Sequence, residues 1–198
     1  MRVTLEALLE PRSAASSRRR RPMPAVDALP AVSARGRRLT IRMTTAADTP
    51  QLVELIAGLS ERSRQLRFLG PIPSVDLIRR EAARVAERSP QHGLALIVTA
   101  SVAGQEVAVA LGELAVDLAV PNVGEIALLV GDPYQREGIG RMLTSILIEL
   151  ATLRGIDTLR ATLWAENYGS RRLLRSLGLA YRAEIHGGEM MITARLDA

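Results

Sequence analysis

Residues 124–163 constrain the fold of this chain more than any other stretch. Gly124-Glu-Ile-Ala-Leu-Leu-Val130 reads as a strand, Gly131-Asp-Pro-Tyr134 as a turn, and Gly138 to Leu153 as a long helix. After a break at Gly155, Thr158–Leu163 reads as a second strand. Strand, helix and strand in that order require a parallel pair joined by a crossover. The helix start carries a second message, because it opens with unpaired backbone N–H groups and the positive end of a dipole. Gly138 and Gly140 remove side chains where a bulky anion would touch backbone, and Arg136 and Arg141 add charge. These features describe a site for a phosphate or pyrophosphate.

Around this unit the chain reads as a mixed α/β fold. Leu39–Met43 alternates as a strand, and Leu52, Leu55, Ile56 and Leu59 mark one face of a helix. Helices are expected over Ser60–Phe68 and Val75–Glu87, followed by strands at Leu94–Ala100 and Val107–Asp117. With Gly124–Val130 these make a three-strand meander. A helix over Tyr168–Leu177 and a hairpin of Leu179–Ile185 with Glu189–Leu196, turning at Gly187-Gly188, close the chain.

The net charge of +5 is unevenly placed. Residues 1–38 hold nine arginines and three acids, whereas acids outnumber bases by one in the remainder. Met1–Glu10 could form only a helix too short to be stable alone. The Pro-, Ser-, Ala- and Arg-rich stretch after it has little to bury. Residues 1–37 are therefore expected to be a disordered tail, and residues 38–198 the folded domain. Arg18–Arg21 could touch an acidic surface, but no aromatic stacking surface accompanies them, so nucleic acid is disfavoured as a partner.

With no cysteine the chain has no disulfide, no thiolate metal site and no cysteine nucleophile. His92 and His186 lie far apart, so no metal is expected. No apolar run approaches the roughly 20 residues that span a bilayer, and the N-terminus lacks a continuous apolar segment. A cytoplasmic protein without membrane contact is the expectation, with homodimerisation left open.

The element order, joined to Gln135-x-x-Gly138-x-Gly140, resembles the GCN5-related N-acetyltransferase (GNAT) superfamily. Asn167 with Arg171-Arg-Leu-Leu-Arg-Ser-Leu-Gly178 is similar to that family's next helix. Leu59-Ser-Glu-Arg-Ser-Arg-Gln-Leu-Arg-Phe-Leu-Gly70 resembles a segment of bacterial protein lysine acetyltransferases. The resemblance implies a mostly antiparallel sheet with a splayed parallel pair at its centre, flanked by helices. It implies acetyl-CoA as co-substrate and a primary amine, such as a protein lysine, as acceptor. Pyrophosphate oxygens would accept from the N–H groups of Arg136, Glu137, Gly138, Ile139, Gly140 and Arg141, and the signature residue Gln135 would belong to the same cofactor site. The pantetheine arm would pair with Ala127, Leu128, Leu129 and Val130, where a peptide N–H would hold the thioester oxygen. Asn167 would hydrogen-bond the same arm.

By the same resemblance Glu125, ten residues before Gln135, is the general base. On the residues alone it reads rather as the solvent-facing start of its strand, and partial desolvation would favour the base role. Leu174 stands where many family members carry a thiolate-protonating tyrosine. That departure leaves a non-catalytic acyl-CoA-binding regulatory domain as the alternative. Glu113 could draw a cationic amine, although solvent exposure is the simpler expectation. Arg67 and Phe68 could line an acceptor channel, or Phe68 could be core; Trp164 could simply cap the sheet.

Overall fold

The computed structural model describes residues 26–70, 74–116 and 119–196. The readings for Met1–Glu10, Arg18–Arg21 and Asp117 lie outside these residues. The described elements are β1 (Leu29–Val32), β2 (Arg38–Met43), α1 (Thr49–Ala57), α2 (Glu61–Phe68), α3 (Val75–Ala86), β3 (Gly93–Val102), β4 (Gln105–Val116), β5 (Val123–Val130), α4 (Ile139–Arg154), β6 (Thr158–Trp164), α5 (Tyr168–Leu177), β7 (Tyr181–His186) and β8 (Glu189–Arg195). The strands form one sheet in the order β1-β2-β3-β4-β5-β6-β8-β7. Every pairing is antiparallel except β5 with β6. This is the expected mixed sheet with its parallel pair.

Local chemistry sets the ends of the helices. Ser60 and Ser74 cap α2 and α3 by accepting from the N–H groups of Ser63 and Leu77. Gly155 and Gly178 stop α4 and α5 in the left-handed conformation. Alternation then assigns the two faces of the sheet. One face packs Leu94, Leu96, Leu114 and Leu159 against Ile139, Leu143, Leu147 and Leu150 of α4. The other packs Ala95, Ile97, Leu111 and Leu129 against Leu52 and Ile56 of α1 and Ala82 and Val85 of α3. Each fully buried aliphatic side chain of this size contributes roughly 1.5–3 kcal/mol, so the two layers clamp the sheet from both sides.

The domain begins earlier than Arg38. Leu29–Val32 is an edge strand in register with Arg38–Ile41, and Ala31 is buried. The sequence hides this strand because it is four residues long and contains Pro30, which only an edge position tolerates.

The parallel pair is short. Only Val123–Glu125 and Thr158–Arg160 face each other in register, while Ala161–Trp164 continue against β8 alone. Asn122 pins the closed end: its carbonyl accepts from the N–H groups of Asp157 and Thr158, and its amide donates to the Asp157 carboxylate. Beyond Glu125 the two strands diverge, leaving Ile126–Val130 without a strand partner on the β6 side among the described residues. No helix among the described residues is long and apolar enough to cross a membrane.

Candidate active site

The site is built where β5 ends. Gly131 leads into a tight turn at Asp132–Tyr134, Gln135 is extended, and Arg136 and Gly138 both take left-handed backbone conformations, φ 60° and 83°. Left-handed residues therefore flank Glu137, and anion-binding nests of successive N–H groups are built from turns that contain such residues. A side chain on Gly138 would meet nothing within 4 Å. One on Gly140 would touch Leu173 of α5 at 3.6 Å and Val130 at 4.0 Å, in the gap between β5 and α5. The loop thus lies between the end of β5 and the α4 N-terminus, beside the Ile126–Val130 edge that has no strand partner toward β6 among the described residues.

Two networks hold this loop, and sequence reading found neither. On the α2 side, the Asp132 carboxylate accepts from the Ser60 N–H (2.8 Å), the Ser60 hydroxyl (2.9 Å) and the Ser63 hydroxyl (2.6 Å). Gln135 Nε2 donates to the Val130 carbonyl (3.1 Å), to Ser63 (3.2 Å) and to Asp132 (3.3 Å). Burial works against the charge on Asp132, but the Ser63 and Ser60 hydrogen bonds outweigh it and hold its carboxyl below the usual range. On the β1 side, Glu137 is completely buried. The Ser33 hydroxyl and, against the cost of burial, Arg37 keep its carboxyl below the ordinary glutamate value.

The residues proposed for the donor are therefore of two kinds. Arg136 and Arg141 are exposed and free to offer side-chain charge. Ile139 and Leu129 are core residues, and Glu137 and Gln135 are engaged by the protein, so these four can offer only backbone without rearrangement. Ala127, Leu128 and Val130 are half-buried along the open edge. Asn167 caps α5, its side-chain oxygen accepting from the Ser170 N–H at 3.0 Å. The cap uses one of that oxygen's two lone pairs, which leaves the other, and the amide NH2, unspent by it.

Glu125 lies on the face of β5 that looks toward α1, α2 and α3, since Gly124 faces the α4 core and Leu129 the other. It is exposed, so the desolvation on which the base reading leaned is absent from the free chain. Its register partner is Arg160, at the last paired position before the strands part.

Glu113, on the same face of β4 opposite Ala127, is 3% exposed rather than solvated. Arg67 of α2, Arg84 of α3 (3.0 Å) and Arg88 (2.6 Å) surround it. Three arginines neutralise this acid, so it cannot serve as bait for a cationic amine. The sequence shows that Glu113 alternates onto a sheet face; it does not show what covers that face. Arg67 is thus a sheet-to-helix tie, and Phe68 packs against the α1/α3 core. Trp164 does more than cap the sheet: its indole N–H donates to the Gln65 carbonyl (3.3 Å), joining β6 to α2.

Beside that contact lies a cleft of about 510 Å³ lined by Arg62, Gln65, Gly70, Trp164, Ala165, Glu166 and Gly188. Glu125 is not part of it. Trp164 is four residues beyond Arg160, about 13 Å along the strand. Leu174 packs, partly buried, against Leu163, Met190 and Ile192 of β6 and β8. Among the described residues no cluster of His, Cys, Asp or Glu could hold a metal ion.

Residues 38–180 match the family model described as "Acetyltransferase (GNAT) domain". The fold is similar to the GNAT domain of S. lividans PAT, with a TM-score of 0.73 and 20% identity over 85% of this chain and 97% of that one. It is also similar to yncA, a putative acetyltransferase from Salmonella typhimurium with its cofactor acetyl-CoA, at a TM-score of 0.61 and 21% identity over 80% and 93% of the two chains. A cAMP-binding acyltransferase from Mycobacterium smegmatis matches at a TM-score of 0.57 and 20% identity, over 87% of this chain but 48% of its own length. No curated protein matches the sequence significantly.

Proposed function

The chain belongs to the GNAT acetyltransferase family, and from that premise we propose that it moves an acetyl group from acetyl-CoA to a primary amine by direct attack in a ternary complex. The observation that supports this reading is the end of β5–β6 pairing at Glu125, with β5 running on into a loop that holds Arg136 and Gly138 in left-handed conformations at the start of α4. The similar fold of yncA, described with acetyl-CoA, supports the donor, and the resemblance of Leu59–Gly70 to a segment of bacterial protein lysine acetyltransferases is the reason to place a protein lysine among the acceptors.

Acetyl-CoA supplies an acyl carbon and a thiol leaving group. Backbone N–H groups of residues 136–141 hold its phosphates, the α4 dipole adding to their charge. The free edge of Ala127–Val130 takes the pantetheine arm as an added strand and offers an N–H to the thioester oxygen. The amine nitrogen, deprotonated, forms the C–N bond as the C–S bond breaks. Glu125 takes the amine's proton through intervening water, since it lies off the cleft. The thiolate is protonated from solvent, because Leu174 cannot donate.

Leu174 also favours a second reading, a regulatory domain that binds acyl-CoA without turnover. Titration with acetyl-CoA, followed by thiol release across small amines and lysine peptides, separates them. Amine-dependent release supports the transferase. Binding with no release on any amine supports the regulatory domain, and failure to bind any CoA ester removes both.

A further inference from the structure

Glu137 places a buried negative charge inside a loop read as a diphosphate site, where a second anion is electrostatically unfavourable. The partners of its side chain come from one place, the turn between β1 and β2. The Ser33 hydroxyl donates to Oε2 (2.7 Å), Arg37 Nε donates to Oε1 (3.2 Å), and Arg35 Nη1 lies 3.8 Å away. The backbone joins in, with the Ala34 N–H donating to the Glu137 carbonyl at 2.9 Å. Ser33 Oγ also accepts from the N–H groups of Arg35 and Arg37, both at 3.3 Å, so one hydroxyl shapes the turn and anchors it. Arg37 further stacks over the Tyr134 ring at 5.0 Å.

This turn lies outside residues 38–180, the span of the family match. Its grip falls on the one residue between the two left-handed positions, Arg136 and Gly138. A non-glycine residue keeps such a conformation only where its surroundings impose it. Meanwhile Arg35 and Arg37 keep side-chain exposures of 64% and 46%, so both guanidiniums reach solvent at the rim of the loop.

Resting on the acetyl-CoA reading above, we infer that Glu137 is a positioning residue of the donor site. Its carboxylate ties the phosphate-facing loop to the 33–37 turn, holds Arg136–Gly138 in the N–H-donating conformation, and keeps Arg35 and Arg37 beside it as cations for the phosphate groups. If Glu137 acted only through its charge, removing that charge would tighten binding of a polyanion.

The test is calorimetric titration of the full chain with acetyl-CoA and with S-acetylpantetheine, which carries the thioester but no phosphate. Glu137→Gln and Ser33→Ala should each weaken acetyl-CoA about tenfold and leave S-acetylpantetheine unchanged, so the preference for the phosphorylated donor falls by the same factor. The Arg35→Ala/Arg37→Ala double variant should also flatten the salt dependence of acetyl-CoA binding. Unchanged or tighter acetyl-CoA binding by Glu137→Gln overturns the proposal. So do equal losses for both donors, the signature of general damage to the fold. Ser33→Ala, made outside the loop, serves if Glu137→Gln does not fold. A wild-type chain that binds S-acetylpantetheine as well as acetyl-CoA would instead remove the diphosphate reading of the loop, and the proposal with it.

Discussion

The two sides of the opening between β5 and β6 are built by opposite means. The side proposed for the donor is backbone: left-handed residues at Arg136 and Gly138, no neighbour over Gly138, and a loop pinned from the turn after β1 and from α2. The acceptor side is side chain: a buried ion cluster around Glu113 and a cleft between α2 and the end of β6. Backbone presents the same donors whatever the side chains are, which suits one invariant ligand. Side-chain surfaces vary freely, which suits the partner that distinguishes one enzyme from another. The proposed donor is therefore legible in the glycine pattern, whereas the charged side chains on the other side mainly hold α2 and α3 to the sheet.

The largest expected effect is on the acceptor side. Glu113→Ala leaves three arginines without their shared carboxylate in a mostly buried setting and should cost about 3 kcal/mol of stability. Denaturant unfolding would show it; a loss below about 1 kcal/mol would mean the cluster behaves as surface charge, and the contrast between the two sides would dissolve. Gly140→Val should next block the gap between Val130 and Leu173, weakening acetyl-CoA binding at least tenfold while stability changes by less than about 1 kcal/mol, because Val is the better helix former. Equal damage to stability and binding would show that the glycine serves packing rather than a ligand path.

Acid should loosen the pinned elements. Burial alone would raise the pKa of Asp48, but Arg42 and the Thr45 N–H outweigh it, and Glu137 is held down by Ser33 and Arg37. Both folded values thus lie below the ordinary 3.8 and 4.5. The unfolded chain then binds more protons, so stability rises with pH across that window. The contribution is complete above pH 4.5 and is lost as pH falls through the depressed folded values. Thermal melts between pH 2 and 6 should show Tm falling on the acid side, and a flat profile there would contradict the assignment. The smallest effect is expected from Ser63→Ala, which removes one donor to Asp132 and one acceptor from Gln135. It should cost about 1 kcal/mol and raise KM for acetyl-CoA more than for the amine, because Asp132 and Gln135 belong to the loop that Ser63 pins.

What the sequence revealed follows the same divide. Gly138 and Gly155 mark both ends of α4 because left-handed ends demand glycine locally, and the apolar runs of β3 and β5 announce burial without help from partners. The parallel pair follows from chain order alone. The ties across the fold were not legible, because Ser33 and Glu137 are 104 residues apart and Arg67 and Glu113 are 46 apart. Each alone looks like surface polarity in a chain whose basic residues are all arginine. β1 was missed for a related reason: its short run, with Pro30, becomes a strand only because β2 offers it an edge.

The most direct test of the central claim is thiol release from acetyl-CoA with a panel of primary amines and lysine peptides, run on the wild type and on Glu125→Gln. Amine-dependent release that drops in Glu125→Gln, with acetyl-CoA affinity unchanged, is the predicted result. Tight acetyl-CoA binding with no release on any amine would contradict it.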